Sequence, residues 1–400
     1  MGLANTNRTY GSVTKTFHWL TALLIFTVIP LGIVANDLPF DTSEQLARKA
    51  WLFSLHKTLG VTIFIVSLGR IIWAVRQPRP GFLNPDNRIE TTLAKTAHWL
   101  LYGSLVMVPL AGWITHAAST GFSPIWWPFG QSLPSVPKDE GIAAVFAGLH
   151  LVLERVLVVT LLLHIVGALK HHIVGRNATL RRMLPGTHAF PQPPRQHKSV
   201  APPALAVLIW AGALLAGVAG GLFDRDAAPD PLTELEEVKS QWAVQTGDID
   251  ITVTLFGSPV TGRFDEWTAA ITFDPDEQDD AAGRVEVTVS IGSLVLGSVT
   301  AQALGIDFFD AVTFPTAVFA ADIMPVPDGY VAEGGLTIRD RSIPVTLHFD
   351  LFINDGVAEM KADLFLDRRD FGIGDNMPDE KSLGFSVKVD AELTARQDAE

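Results

Sequence analysis

Five apolar stretches, at about residues 16–36, 52–75, 94–118, 143–170 and 202–222, divide the first half of a 400-residue chain. Each is long enough to cross roughly 30 Å of hydrocarbon as a helix. The first run has no small-residue cleavage site and is followed by more such runs, so it reads as a retained span and not as a removed signal peptide. The fifth, Ala201 to Leu222, is rich in Ala, Gly and Leu and holds neither histidine nor charge, which is the composition of an anchor. Past Leu232 the pattern shortens to alternating apolar and polar positions between turn residues. Ile249–Phe256, Trp267–Phe273, Arg284–Ile291, Phe314–Ala320, Gly335–Ile338, Ile343–Ile353 and Phe385–Leu393 read as strands of an antiparallel domain. Closing such a sheet removes its exposed edges, and a barrel of about eight strands can enclose one apolar ligand.

Charge divides the chain at the same place. Residues 1–222 carry 18 Lys and Arg against 8 Asp and Glu, while residues 223–400 carry 12 against 35. The net charge of −13 therefore belongs to the second half. No dense basic patch with interleaved aromatics accompanies it, which argues against a nucleic-acid partner. There is no cysteine, which excludes disulfides, cysteine-ligated iron–sulfur clusters and covalent c-type haem.

The distribution of Lys and Arg beside the spans sets the orientation. Arg8 and Lys15; Arg76, Arg79, Arg88 and Lys95; and Lys170, Arg176, Arg181, Arg182, Arg195 and Lys198 fall on one side, which is expected to be cytoplasmic. The opposite loops are mixed or acidic (Asp37, Asp41, Glu44, Arg48, Lys49; Lys138, Asp139, Glu140), and Asp224, Asp226, Asp230, Glu234, Glu236 and Glu237 follow the fifth span. The expected localisation is a bacterial inner membrane, multi-pass, with the C-terminal β-domain in the periplasm.

Ionisable residues inside spans are costly and are functional candidates by default. Here they are His18, His56, His98, His116, His150 and His164, with Lys57, Arg70, Glu154 and Arg155. Depth pairs them: His18 and His164 lie toward the cytoplasmic face, His56 and His150 toward the outside. His150 and His164 are 14 residues apart, about 21 Å of rise and nearly four whole turns, so they share one helix face at two depths. Imidazoles from facing helices are the usual axial ligands of haem b. The expected set is His18 with His164 on an inner haem iron and His56 with His150 on an outer one. Two axial histidines leave no open position on either iron, so electron transfer is the expected chemistry. Any one interfacial histidine is more often a headgroup contact or an interhelical hydrogen bond; the fourfold pattern favours ligation. Metal sites without haem lack an obvious carboxylate shell. Lys57 and Arg155 are read most simply as partners of propionates or Glu154, and more sharply as an electropositive funnel for a small anion. Arg70 is a candidate propionate or headgroup partner. His98 is a candidate contact to a propionate or quinone, while His116, His171 and His172 are given structural roles.

At Phe17-His18-Trp19-Leu20, Leu55-His56-Lys57-Thr58-Leu59-Gly60, Leu68-Gly69-Arg70, Ala97-His98-Trp99 through Gly103, Pro109-Leu110-Ala111-Gly112-Trp113, Gly148-Leu149-His150, Leu163-His164-Ile165 and Leu169-Lys170-His171-His172 the chain resembles the bacterial cytochrome b561 family, over about residues 8–186. The resemblance implies two haems b on His18, His56, His150 and His164. It also implies a relation to members that oxidise superoxide and reduce ubiquinone, or to cytochrome subunits that carry electrons from a hydrogenase or another dehydrogenase to quinone. The second half resembles the YceI-like barrels through Val260-Thr261-Gly262-Arg263-Phe264, Asp307-Phe308-Phe309-Asp310, Phe314-Pro315, Gly335 to Asp340 and Asp370-Phe371-Gly372-Ile373-Gly374. That resemblance implies an apolar lumen for an isoprenoid chain, such as a ubiquinone tail. One departure is that the strand 249–256 lacks a histidine often found near there in the family. Phe308, Phe309 and Phe371 are read as barrel packing ahead of ligand contact.

The expected architecture is multidomain: an all-α transmembrane four-helix dihaem bundle plus a fifth anchor helix, then an all-β lipocalin-like antiparallel barrel. Its boundaries are 1–186 for the haem domain, 187–201 for a cytoplasmic linker, 202–222 for the fifth helix, 223–239 for a periplasmic linker and 240–396 for the barrel. The expected partners are membrane lipid, ubiquinone or another isoprenoid lipid, and superoxide or a redox protein as donor. The competing non-enzyme expectation is a membrane-anchored isoprenoid carrier in which the bundle is chiefly a mount.

Overall fold

In a computed structural model of the chain, residues 2–40, 42–83, 85–119, 121, 123–186, 192–194, 199–223, 235, 238–277, 281–327 and 329–397 are described. Asp41, Arg195, Lys198 and the acidic run Asp224 to Glu237 lie largely or wholly outside them, as does most of both expected linkers. The described residues divide into two compact units, one built on the helices and one on the strands.

The helical unit has five helices long and apolar enough to cross a membrane: α1 Ser12–Asp37, α2 Ser43–Arg76, α3 Arg88–Ala118, α4 Glu140–Ile173 and α5 Ala201–Ala219. All five expected spans are present, and α1 to α4 overrun them. The apolar window measures only the hydrocarbon crossing, whereas polar caps carry a helix into the headgroup layer. At α2, Gln45 N donates to Thr42 Oγ1 and Thr42 N to Gln45 Oε1, both at 3.3 Å, a reciprocal cap. Asp139 accepts from Ile142 N at 2.7 Å to start α4, and Asn87 accepts from Glu90 N at 3.1 Å to start α3. The bundle core is a layer of Ile25, Ile63, Leu105, Val108, Leu153 and Leu157, drawn from α1 to α4. The anchor α5 packs on α3 and α4. Its Trp210 lies against Gly103, where a Cβ would overlap the indole, and its Nε1 donates to Ser104 Oγ at 3.3 Å.

The second unit is a curled antiparallel sheet of ten strands: β1 Trp242–Leu255, β2 Ser258–Phe264, β3 Trp267–Phe273, β4 Gly283–Ser290, β5 Leu294–Val295, β6 Thr316–Val326, β7 Gly329–Ile338, β8 Arg341–Asn354, β9 Val357–Asp367 and β10 Ser386–Gln397. Their order is β3-β4-β6-β7-β8-β9-β10-β1-β2-β5. The sheet curls so that the start of β1 meets the edge strand β3: Gln241 N, just ahead of β1, donates to Ile271 O at 3.0 Å, and Trp242 Nε1 donates to Phe273 O at 2.9 Å. The ten strands outnumber the seven expected because β2, β5 and β9 carry signals that hide them. β2 contains Pro259 and Gly262, residues that strands disfavour. β9 is written in Ala, Glu, Met and Lys, which suit helices better than sheets, although its alternation is regular. β5 has two residues.

Side chains alternate across this sheet as the pleat requires. On β8, Val345, Leu347, Phe349 and Leu351 face a cavity, while Thr346, His348, Asp350 and Phe352 are exposed.

Candidate functional site

The bundle brings the expected histidines together in the expected pairs. The rings of His18 and His164 lie 6.4 Å apart between centres, inclined at 60°. Those of His56 and His150 lie 6.5 Å apart, inclined at 79°. An atom held between two imidazole nitrogens at about 2.0 Å, each nitrogen about 1.1 Å from its ring centre, separates the centres by roughly 6.2 Å. Both spacings fit two axial ligands on one iron. Leu157 lies midway in sequence between His150 and His164, and Ile63 midway between His56 and Arg70, so the apolar layer separates the two levels. Among the described residues no group of three or more His, Asp or Glu side chains forms a metal-binding cluster.

The two levels differ in what the second ring nitrogen meets. His56 Nδ1 lies 2.9 Å from Val28 O, and His150 Nδ1 lies 2.9 Å from Val108 O. A carbonyl only accepts, so each Nδ1 carries the proton and each Nε2 keeps its lone pair. That is the tautomer a metal ligand needs, fixed from its far side. At the inner level, Arg70 Nη2 lies 3.4 Å from His18 Nδ1, and the guanidinium sits over the Tyr102 ring at 5.1 Å. Arginine only donates, so this contact asks Nδ1 to be unprotonated. Binding iron through Nε2 would move the proton to Nδ1 and release Arg70 toward another acceptor. The chemistry of the donor set therefore fits the propionate role expected for Arg70.

His98 packs edge-on against His164, with ring centres 5.2 Å apart, and donates from Nδ1 to Ala94 O at 2.6 Å. Lys57 donates to Ser123 O at 2.9 Å. Arg155 pairs with Glu154 at 3.4 Å and its side chain is 68% exposed. The two cations thus take separate partners: Arg155 has a carboxylate, and Lys57 a neutral carbonyl.

The β-domain encloses a cavity of about 300 Å³, at the lower end of the usual range for ligand pockets. Its lining is apolar apart from Gln302, Arg368 and Glu392. Phe308, Phe309 and Phe371 all border it, but Phe371 is only 1% exposed and acts chiefly as packing. Sequence reasoning missed Arg368, which is 3% exposed. Its donors all end on main-chain carbonyls: Nε on Gly384 O at 3.1 Å, Nη1 on Ile373 O at 2.6 Å and Gly374 O at 2.8 Å, and Nη2 on Met377 O at 2.5 Å and Leu383 O at 3.3 Å. Arg368 thereby gathers the 372–384 loop, whose Ile373, Met377 and Leu383 wall the cavity. Only the Arg368-Arg369-Asp370 charge cluster marked the place in the sequence.

Five apolar helices with facing histidine pairs, joined to an antiparallel sheet around an apolar cavity, define a multi-pass membrane protein with a second, β-type domain. The family model described as "Prokaryotic cytochrome b561" matches residues 9–186, and that described as "YceI-like domain" matches residues 241–395. Cytochrome b561 homolog 2 of Escherichia coli is 32% identical over 187 residues, covering 46% of this chain and 95% of the relative. The probable superoxide oxidase CybB of Yersinia pestis is 26% identical over 180 residues, covering 45% and 97% respectively. A crystal structure of Burkholderia cenocepacia BcnA is similar at 26% identity with a TM-score of 0.35, over 37% of this chain and 96% of that one. The chain belongs to the prokaryotic cytochrome b561 family and carries a YceI-like domain fused to it. Haem b is the cofactor that this family implies.

Proposed function

We propose that the bundle binds two haems b, an inner one on His18 and His164 and an outer one on His56 and His150, and passes electrons through them to ubiquinone. The observation that carries this reading is the pair of ring separations, 6.4 and 6.5 Å, with two of the four rings on one face of α4. Haem, when bound, supplies a one-electron couple. The protein supplies the two imidazoles at each level, the fixed tautomers of His56 and His150, and Arg70 as the cation for a propionate. The apolar layer around Leu157 excludes water between the levels.

Superoxide is the donor we name first, on the likeness to the probable superoxide oxidase. Oxidation of two superoxide anions to dioxygen yields two electrons, which with two protons reduce one quinone to quinol. Lys57, whose charge no carboxylate offsets among the described residues, is the residue best suited to attract the anion, with Arg155 secondary. The proposed setting is a bacterial inner membrane with the N-terminus cytoplasmic and the β-domain periplasmic, where its lumen takes an isoprenoid or quinone tail. Burying each methylene contributes about 0.8 kcal/mol without any polar handle.

The test begins with a visible spectrum and haem extraction on the purified full-length protein. Two b-type haems per chain are expected, falling to one in His150→Ala and in His164→Ala. A colourless protein from porphyrin-replete cells would end the proposal. Rapid mixing of superoxide with the oxidised protein should shift the Soret band; an unmoved band would remove that donor while leaving the electron carrier intact.

A further inference from the structure

The outer pair of histidines is seated by a local device that occurs twice. His56 reaches from α2 to the carbonyl of Val28 on α1, and His150 from α4 to the carbonyl of Val108 on α3. In both cases the residue four positions after the carbonyl is glycine: Val28-Ile29-Pro30-Leu31-Gly32 and Val108-Pro109-Leu110-Ala111-Gly112. A Cβ on Gly32 would stand 2.6 Å from His56 Cε1 and 2.8 Å from its Nδ1. One on Gly112 would stand 2.9 Å from His150 Nδ1 and 3.1 Å from its Cε1. These distances lie far inside the usual carbon contact of about 3.5–4.0 Å.

The spacing has a stereochemical cause. Inside a helix the carbonyl of residue n already accepts from the N–H of residue n+4. Its second lone pair is open to a donor from a neighbouring helix, but that donor must pass the side chain at n+4. With glycine there the Nδ1–Cε1 edge of the ring reaches the helix backbone; with any larger residue the ring is pushed away from the carbonyl. The inner level has no such seat, since His18 meets Arg70 and, among the described residues, no backbone acceptor serves His164.

We propose that Gly32 and Gly112 are positioning residues of the outer haem. They admit the rings of His56 and His150 to the carbonyls of Val28 and Val108, and so fix Nδ1 as the protonated nitrogen and Nε2 as the ligand atom. The inference rests on the dihaem reading above. An Nδ1–H donating to a carbonyl enriches the imidazole in electron density and favours ferric over ferrous iron, so the seats would also lower the potential of the outer haem.

The experiment compares Gly32→Ala and Gly112→Ala in the full-length protein with Gly212→Ala on α5, where an added Cβ meets nothing within 4 Å. Haem per monodisperse chain, the low-spin ferric EPR signals and a potentiometric titration are the readouts, with His56→Ala identifying the outer haem. Each notch variant is expected to lose the outer haem or to change its EPR signal and raise its midpoint potential. The inner signal and the Gly212→Ala protein should match wild type. Unchanged haem content, EPR and potentials in both notch variants would overturn the proposal, while loss of one haem in His56→Ala would still uphold the dihaem reading. If His56→Ala keeps both haems, the assignment of His56 as a haem ligand, on which this inference rests, fails. Should the notch variants not fold, nitrogen-15 histidine NMR of the ferrous wild type decides. Two protonated, hydrogen-bonded Nδ1 atoms at the outer level are expected, and bare Nδ1 atoms would refute the seats.

Discussion

Replacing Arg368 with leucine should loosen one end of the β-domain and destabilise it as a whole. The guanidinium is buried beside the Phe385 ring, 5.4 Å from its centre, and holds the carbonyls of residues 373, 374, 377, 383 and 384. Burial lowers its pKa, with Asp367 opposing, but a guanidinium starts so high that it stays charged. Leucine matches much of the volume but leaves these carbonyls unserved. Each buried acceptor without a donor costs about 1–3 kcal/mol, although water would reach some of them once the 372–384 loop lifts. Breaking a buried charged network costs about 3–5 kcal/mol in total, against a typical domain stability of about 5–15 kcal/mol. A loss near 3 kcal/mol in a domain of this size lowers Tm by on the order of 10 °C. Hydrogen exchange on the full-length protein is the assay: peptides from 372–384 should exchange fastest, followed by β9 and β10. Arg369→Leu is the control, since that side chain is 53% exposed and paired with Asp367. If the β-domain of Arg368→Leu exchanges and melts like that of Arg369→Leu, the clasp does not bear on stability.

Arg70→Leu removes the cation beside His18, so the ferric state of the inner haem gains and its midpoint potential falls. A charge some 7 Å away at an effective dielectric of about 20 implies a shift on the order of 50–100 mV, and a titration in which neither haem moves would refute the placement. Asp250 on β1 has its pKa raised by burial and by Asp248 and Asp390. Its ionised form therefore opposes folding above the folded-state value, and the penalty vanishes where both states are protonated. Asp250→Asn should stabilise the β-domain by less than about 1 kcal/mol at pH 7 and by nothing near pH 3; a gain that persists in acid would contradict the sign. Trp210→Ala should weaken the docking of α5 on Gly103 and Ser104, read as faster exchange in α5 peptides with haem content unchanged; loss of both haems would assign α5 a larger part.

The helices and the histidine pairs were legible because membrane physics leaves few alternatives. An apolar run of about twenty residues must be helical, every charge within it needs a reason, and a 14-residue spacing fixes a face. The strands were partly legible: alternation revealed β1, β4 and β8, while Pro259, Gly262 and the helix-forming composition of β9 concealed their neighbours. Arg368 escaped because its partners are backbone carbonyls brought together only by the fold. The contact between Arg70 and His18 had no periodic signal of its own, as α1 and α2 place it. Gly32 and Gly112 were visible as letters, but their purpose depends on which ring crosses from the next helix.

The two halves share one solvent problem, and each solves it differently. A long isoprenoid tail is insoluble in water, so a reaction on quinone must occur in the bilayer or in a protein interior that imitates it. On the proposed reading the helical unit supplies the first setting, where Arg155 pairs with Glu154 and Lys57 with the carbonyl of Ser123. The β-domain supplies the second, a lumen whose buried arginine spends all its donors on its own backbone and therefore offers none to a headgroup. If the lumen takes an isoprenoid chain as proposed, it would hold the ligand by its tail and leave a quinone ring unrecognised, so its specificity should follow chain length and not head chemistry. Undecaprenyl and ubiquinone tails of equal length should then compete for it equally, and a strong preference for the quinone would show that Gln302 or Glu392 reads the head.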